Sequence, residues 1–310
     1  MYYDIIGDIH GHADELKILL QKLGYQRTSK GVFNQSGRQV IYVGDFIDRG
    51  TQNLEVLSIV KPMVEHGHAL AVMGNHEFNA ICFHTLHPET GLPLREHNEK
   101  NEDGHQTFLS EIKEKDELLA EVIDWFQTLP FFLDLEGLRV VHAEWNFDFI
   151  EHLKVRGGSD SQFIADDDFI RNASIKYTPE YHIIETLLKG SEIELPEGCS
   201  FNDTDGNPRR KLRVKWWQTA GRTYRDIAML ESEQIQSIPD VPLLEPLGGS
   251  YPATDKPVFF GHYWMRPNTC LQSANSMCVD YSVARKGALC SYRWSGEEQL
   301  REENILVAST

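Results

Sequence analysis

Five short apolar runs along the chain end in the same way. Ile5-Ile6-Gly7 gives way to Asp8-Ile9-His10-Gly11, and Ile41-Tyr42-Val43-Gly44 to Asp45-Phe46-Ile47-Asp48-Arg49. Ala69-Leu70-Ala71-Val72-Met73-Gly74 leads into Asn75-His76-Glu77, Leu138-Arg139-Val140-Val141 into His142, and Val258-Phe259-Phe260-Gly261 into His262. Each run has the length and composition of a buried strand. Leu16, Leu19, Leu20 and Leu23 recur at helical spacing and predict a helix from Ala13 to Leu23, with Gly24 as its stop. Leu54, Leu57 and Val60 predict a second helix, with Asn53 as its cap and Pro62 limiting or kinking it. Residues 25–38 carry the glycines of a short hairpin, and 109–128 have the period of an acidic amphipathic helix closed by Pro130. The alternation of strand and helix over the first eighty residues indicates an α/β architecture. Near the end of the chain, Met277–Tyr281 and Ala288–Trp294 predict two strands, joined by Arg285-Lys286-Gly287, that complete a second sheet.

Every one of the five strands delivers Asp, His or Asn at its carboxyl end, the edge where ligands sit in open α/β sheets. A lone Asp or His after a strand is ordinarily a turn residue or a helix cap. Five repeats of the pattern point instead to a site that gathers Asp8, His10, Asp45, Asn75, His142 and His262. These are oxygen and imidazole ligands with no thiolate, a set that suits divalent Mn, Fe or Zn. There are more of them than one tetrahedral ion needs, which argues for two metal ions.

The blocks Gly7-Asp8-Ile9-His10-Gly11, Gly44-Asp45-Phe46-Ile47-Asp48-Arg49-Gly50 and Gly74-Asn75-His76-Glu77 resemble the signature blocks of calcineurin-like metallophosphoesterases. They look like those of the phosphoprotein phosphatase branch, which also includes dinucleoside tetraphosphate hydrolases. The resemblance is dense over residues 1–80 and afterwards rests on His142, His262 and the segment 275–300. It implies a two-sheet sandwich flanked by helices. It also implies that Asp8, His10 and Asp45 hold one metal and that Asp45, Asn75, His142 and His262 hold the other, with Asp45 bridging. A hydroxide between the two metals then attacks phosphorus. His76 protonates the leaving oxygen, Asp48 orients His76, and Arg49 holds a phosphate oxygen. Two positions depart from the family pattern. His142 is followed by Ala143-Glu144 where the family usually has glycine, and no motif places a second phosphate-binding arginine.

Composition bounds the partners. Net charge is −17, from 30 basic and 47 acidic residues. Such a balance disfavours general nucleic-acid binding, which needs phosphate neutralisation by Lys and Arg. A small phosphorylated substrate stays compatible, because bound metals supply local positive charge. No apolar run approaches the ~18 residues of a membrane span. The first residues lack the basic and apolar stretches of a secretory signal, and the cytoplasm is the expected location. The five cysteines form no CxxC pair, and Cys278 and Cys290, which lie in apolar runs, are expected to be core thiols.

Residues 1–310 are expected to form one catalytic domain carrying two insertions, at about 80–108 and 143–256. The first holds His84, His87, His97 and His105 at spacings that match no compact ligand motif, which suggests a polar rim. The second is expected to be a mostly helical cap beside the metals. Within it, Arg209 to Arg225 hold seven basic residues and no acid before Asp226. Lys211, Arg213 and Lys215 alternate with Leu212 and Val214 as on a strand with one wet face. Arg213, Arg222 and Arg225 are the candidates for substrate contacts, and Trp216, Trp217 or Tyr224 for stacking on a base. Two enzyme classes compete for the substrate. A serine/threonine phosphatase-type phosphomonoesterase acting on phosphorylated protein ranks first. A dinucleoside polyphosphate hydrolase acting on a small phosphorylated nucleotide, diadenosine tetraphosphate among them, ranks second. A nuclease and a non-catalytic binding module rank behind both.

Overall fold

A computed structural model describes residues 1–202, 206–218, 221–230, 232–244, 250–266 and 270–308. In the first sheet, Tyr2–Ile6, Arg38–Tyr42 and Ala69–Ala71 run parallel, with Ala288–Trp294 antiparallel on the other flank of Tyr2–Ile6. Asp280–Tyr281 and Ile305–Ala308 both pair with Ala288–Trp294. In the second sheet, Ser276–Cys278, Val258–Phe260 and Arg139–Val141 run parallel, and Phe132–Asp134 returns antiparallel. Phe259 of one sheet and Tyr292 of the other meet with ring centroids 5.1 Å apart. The architecture is α/β, with two sheets flanked by helices, as the resemblance implies. All five predicted strands are present, and their carboxyl ends face one region of the molecule.

The helix Ala13–Leu23 buries Leu16, Leu19, Leu20 and Leu23 and ends at Gly24 in the left-handed region, as the leucine period predicts. Four predicted details differ. Asn53 is the first residue of the helix Asn53–Glu65, not its cap. Its Oδ1 accepts the Asp48 amide at 2.6 Å, so the side chain stabilises the ligand loop instead of the helix end. The stretch 109–128 is not one helix. Glu99–Ile112 and Asp116–Gln127 are separated at Glu114, whose φ is +61°. Residues 80–108 are therefore not all loop. The first of the predicted terminal strands is split between two sheets, because the chain crosses from one sheet to the other at Val279, and only Asp280–Tyr281 pairs with Ala288–Trp294. The Val279 amide donates to Phe260 while Asp280 already pairs in the first sheet. Apolar periodicity carries no information on which sheet a strand joins.

The insertion from residue 143 is mostly helical in its first half and mixed in its second, where the short helices Tyr224–Ile227 and Ser232–Ser237 accompany strands. Phe147–Gly157, Asp167–Ala173 and Pro179–Lys189 are helices. Beyond them Glu192–Glu194 pairs antiparallel with Lys211–Arg213, and Phe201–Asn202 with Pro208–Arg209. This second part has its own small apolar cluster of Leu195, Phe201, Leu212, Tyr224, Ala228 and Ile238. The departure at Ala143-Glu144 finds its use here. Buried Glu144 accepts the Ser191 amide at 2.7 Å and ties the insertion to the strand end that bears His142.

Candidate metal centre

The ligand loops adopt conformations that most residues avoid. Ten described non-glycine residues have positive φ, and five of them are candidate site residues: His10, Asp45, Asp48, Arg49 and His262. Each such residue costs about 1–3 kcal/mol and persists only where its surroundings hold it. Glycine permits the closest approaches. A Cβ on Gly44, at φ +97°, would meet the Gly74 nitrogen at 2.5 Å, so the second and third ligand loops pack backbone to backbone. Glu77 fastens the same two loops by accepting the amides of Asp45 and Phe46 at 2.8 Å and of Gly74 at 3.0 Å.

The side chains converge. Ligand atoms of Asp45, His142 and His262 lie within 4.8 Å of one another, and so do those of His10, Asp45 and His76. His10 Nδ1 donates to the Ile47 carbonyl at 3.0 Å and His142 Nδ1 to the Val43 carbonyl at 2.7 Å. A carbonyl can only accept, so each Nε2 presents a lone pair inward, toward Asp45 Oδ2 at 3.6 and 3.4 Å. This is the outer bonding that fixes metal-ligating imidazoles. Asn75 Oδ1 stands 3.2 Å from His142 Nε2. Asp8 lies beside the group, its Oδ2 accepting the His262 amide at 3.0 Å.

The electrostatics fit bound cations. Asp8 Oδ1 and His262 Nε2 are buried without a protein partner, which suits them as donors to a cation. Burial, then Asp280 and Asp45, push the Asp8 carboxyl well up. Burial and Asp45 push Glu77 up to about 7. Burial presses His10 down to about 4, and burial with Arg213 presses His262 well down. Neutral imidazoles beside crowded buried carboxyls form a donor set for divalent ions.

Next to this group stands a chain of three side chains. Asp48 Oδ2 accepts from His76 Nδ1 at 2.5 Å, and Asp48 Oδ1 from His105 Nδ1 at 2.8 Å. Burial would raise Asp48, but the two imidazole donors overcome it and hold the carboxyl at about 2. Burial alone would lower His76, yet Asp45 and Asp48 raise it, which favours the protonated form an acid needs. His105 was not singled out in the sequence. It lies in the segment expected to be a polar rim, and its burial on the helix Glu99–Ile112 is set by Phe83 and Phe108. The one available signal was the spacing of His105, Phe108 and Ile112, which share a helix face. Arg49 is exposed and lines a depression with Glu99, Lys100, Asp103 and Gly104.

The three substrate arginines fare differently. Arg213 is close to the site: its guanidinium lies 5.9 Å from the Tyr263 ring centroid, and its Nε is buried without a partner. Arg225 is committed elsewhere, donating to the carbonyls of Ile238 and Gln236. Arg222 is exposed on the start of that same turn, and its amide is held by Asp226. Trp216, Trp217 and Tyr224 are buried, at 3–4 % exposure, so none presents a face for stacking. Trp216 instead donates to the Ala143 carbonyl and packs on Phe260.

Fold and ligand loops together define a metal-dependent phosphoesterase scaffold, and the calcineurin-like phosphoesterase family matches residues 1–226. The chain belongs to that family. It is 34 % identical over 150 residues to the asymmetrical bis(5'-nucleosyl)-tetraphosphatase PrpE of Bacillus subtilis (strain 168), covering 46 % of this chain and 57 % of that one. To the protein of the same name from Oceanobacillus iheyensis it is 30 % identical over 143 residues, covering 46 % and 55 %. The chain thus spans little more than half the length of these relatives. Its fold is similar to that of a serine/threonine phosphatase of Saccharomyces cerevisiae, with a TM-score of 0.50 and 13 % identity over 99 % of this chain and 78 % of that one.

Proposed function

We propose that the chain is a metal-dependent hydrolase of dinucleoside polyphosphates, cleaving between phosphates to release a mononucleotide. The observation that carries this reading is the groove beside His262. It has a volume of about 1330 Å³ and is lined by Arg209, Arg210, Lys211, Arg213, Arg285 and Lys286, which outnumber its two acids, Glu192 and Glu194. In a chain of net charge −17, so many cations facing one groove match a substrate with several phosphates. A phosphomonoester needs only the one under attack. The bacterial relatives named as tetraphosphatases support the same choice. The order of the two sequence expectations is therefore reversed: the phosphomonoesterase reading becomes the second, and the similarity to the yeast phosphatase supports its fold alone.

In this reading Asp8, His10, Asp45, Asn75, His142 and His262 would hold two divalent cations, Mn foremost, and Asp45 would be shared by both groups of ligands. Bound there, the cations would draw in phosphate oxygens and acidify a water. The protein's own part is positioning and proton delivery. Nδ1 of His76 is fixed by Asp48, so Nε2 faces inward and donates a proton to the leaving phosphate oxygen. Asp48 stays ionised throughout, since two imidazoles stabilise its charge. Arg213 contacts the phosphates beyond the one attacked, and Arg49, next to Asp48 in sequence, holds an oxygen of the phosphate under attack.

Product analysis tests the proposal. Mn-loaded protein given diadenosine tetraphosphate should release ATP and AMP. Turnover of phosphopeptides with no cleavage of the dinucleotide would return the assignment to the phosphomonoesterase class.

A further inference from the structure

The groove holds a feature that metal chemistry and phosphate charge do not use. Trp264 is 39 % exposed and lies on the groove wall. Its φ is +48°, a left-handed conformation that is a genuine outlier for so bulky a residue. The strain is held by buried Asp280. One oxygen of that carboxylate accepts the Trp264 amide at 3.1 Å and the other the Ser282 amide at 2.8 Å. The Met265 amide adds a bond to the Asp280 carbonyl at 2.8 Å, and Ser282 Oγ donates to the Met265 carbonyl at 3.1 Å. These bonds lock the loop after His262 to the turn that carries Arg285. As a result the Arg285 guanidinium sits 3.7 Å from the Trp264 ring centroid. One side of the indole is capped by a cation. The ring stays partly open, and the groove that it lines is lined also by the basic strand Lys211–Arg213.

We propose that Trp264, backed by Arg285, is a stacking platform for a nucleobase of the substrate. An exposed indole with a guanidinium on one face gives an aromatic surface that any base can cover. Only two residue steps separate His262 from Trp264, so their Cα atoms are within about 7 Å. A base on the platform therefore places its phosphates toward the metal ligands, with Lys211, Arg213 and Lys286 beside the chain. The other tryptophans near the site, Trp216 and Trp217, are buried and cannot serve. This inference rests on the dinucleoside polyphosphate reading for the identity of the substrate, but its test does not.

The test is calorimetric titration of the Mn-loaded protein with AMP and with inorganic phosphate. Wild-type protein should bind AMP more tightly than phosphate. Trp264→Ala should weaken AMP binding about 5- to 150-fold, the range expected for loss of one base–aromatic stack, and leave phosphate binding unchanged. Trp264→Phe should retain most of the AMP affinity, because a ring remains. Unchanged phosphate affinity in each variant shows that the metal site is intact and that the loss is local. Equal wild-type affinity for AMP and phosphate, or an unchanged AMP affinity in Trp264→Ala, overturns the platform. Cleavage of diadenosine tetraphosphate is scored separately. Trp264-dependent AMP binding without cleavage would sink the proposed function and leave the platform standing. Cleavage with no dependence on Trp264 would do the reverse.

Discussion

Replacing His105 by phenylalanine should weaken both the fold and the proton donor. The substitution keeps a ring between Phe83 and Phe108, whose centroids lie 5.5 and 5.0 Å from that of His105. What it removes is the donor 2.8 Å from Asp48 Oδ1. Asp48 is 2 % exposed, so water does not readily replace the lost bond. A hydrogen bond to a charged group contributes about 1.5–3 kcal/mol, and the metal-free variant should lose about that much stability. His76 keeps its own 2.5 Å bond to the other oxygen, so its orientation loosens without being lost. If about half of the lost energy falls on the transition state, kcat drops on the order of 3- to 10-fold for poor leaving groups. The drop should shrink for p-nitrophenyl phosphate, whose leaving group needs little protonation. His105→Gln, which can still donate, should recover part of both losses. The assays are urea unfolding and kcat across a series of leaving groups, with metal content measured alongside. Wild-type stability together with wild-type kcat on poor leaving groups would refute a positioning role for His105.

Further outcomes follow from the same geometry. Asp45→Asn should reduce occupancy at both metal positions, since Asp45 faces His10, His142 and His262 alike. Elemental analysis checks this, and full occupancy would remove Asp45 from the shared position. Arg213→Ala should raise KM for diadenosine tetraphosphate about 10- to 150-fold, the equivalent of one charge-assisted contact of ~1.5–3 kcal/mol. Arg225→Ala should leave KM alone and cost stability, because its guanidinium is bonded to carbonyls. Burial holds His84 at about 4, below the ~6.5 of an unfolded histidine, so between these values the unfolded chain binds more protons at this position and His84 takes stability from the metal-free protein as pH falls. Glu77, raised to about 7 from an ordinary 4.5, acts in the opposite sense over much of that window, so the contribution of His84 is read as a difference. His84→Gln should lose less stability than wild type between about pH 6.5 and pH 4, and urea midpoints with the same pH dependence in both proteins would contradict the assignment.

The convergence of the candidate metal ligands was legible because strand end and side chain are neighbours in sequence. Asp8, Asp45, Asn75, His142 and His262 each directly follow an apolar run or its closing glycine, and alternation of strand and helix aligns the carboxyl ends. The helix Ala13–Leu23 was equally plain, since its leucine stripe and its stop are local. Contacts made at long sequence distance were hidden. Nothing near residue 105 says that its imidazole will reach Asp48, and nothing near Asn53 says that its amide will hold a ligand loop. Asp4 is a further case. The sequence places it in an unremarked first strand, while in the fold it is fully buried and takes hydrogen bonds from Tyr25, Arg38 and Arg293. The basic segment 209–225 was visible as composition, but the direction of each arginine was not. Arg213 turns toward His262 because its strand pairs with Glu192–Glu194. Arg225 turns away because a helix end offers it carbonyls.

The most direct test of substrate class is the ratio of kcat/KM for diadenosine tetraphosphate to that for a phosphoserine peptide, measured on Mn-loaded protein at one ionic strength. A ratio well above one, at least about tenfold, is expected, since several charge-assisted contacts are open only to the polyphosphate. The ratio should fall in Arg213→Ala. A ratio below one, unaffected by that substitution, would contradict the dinucleoside polyphosphate reading.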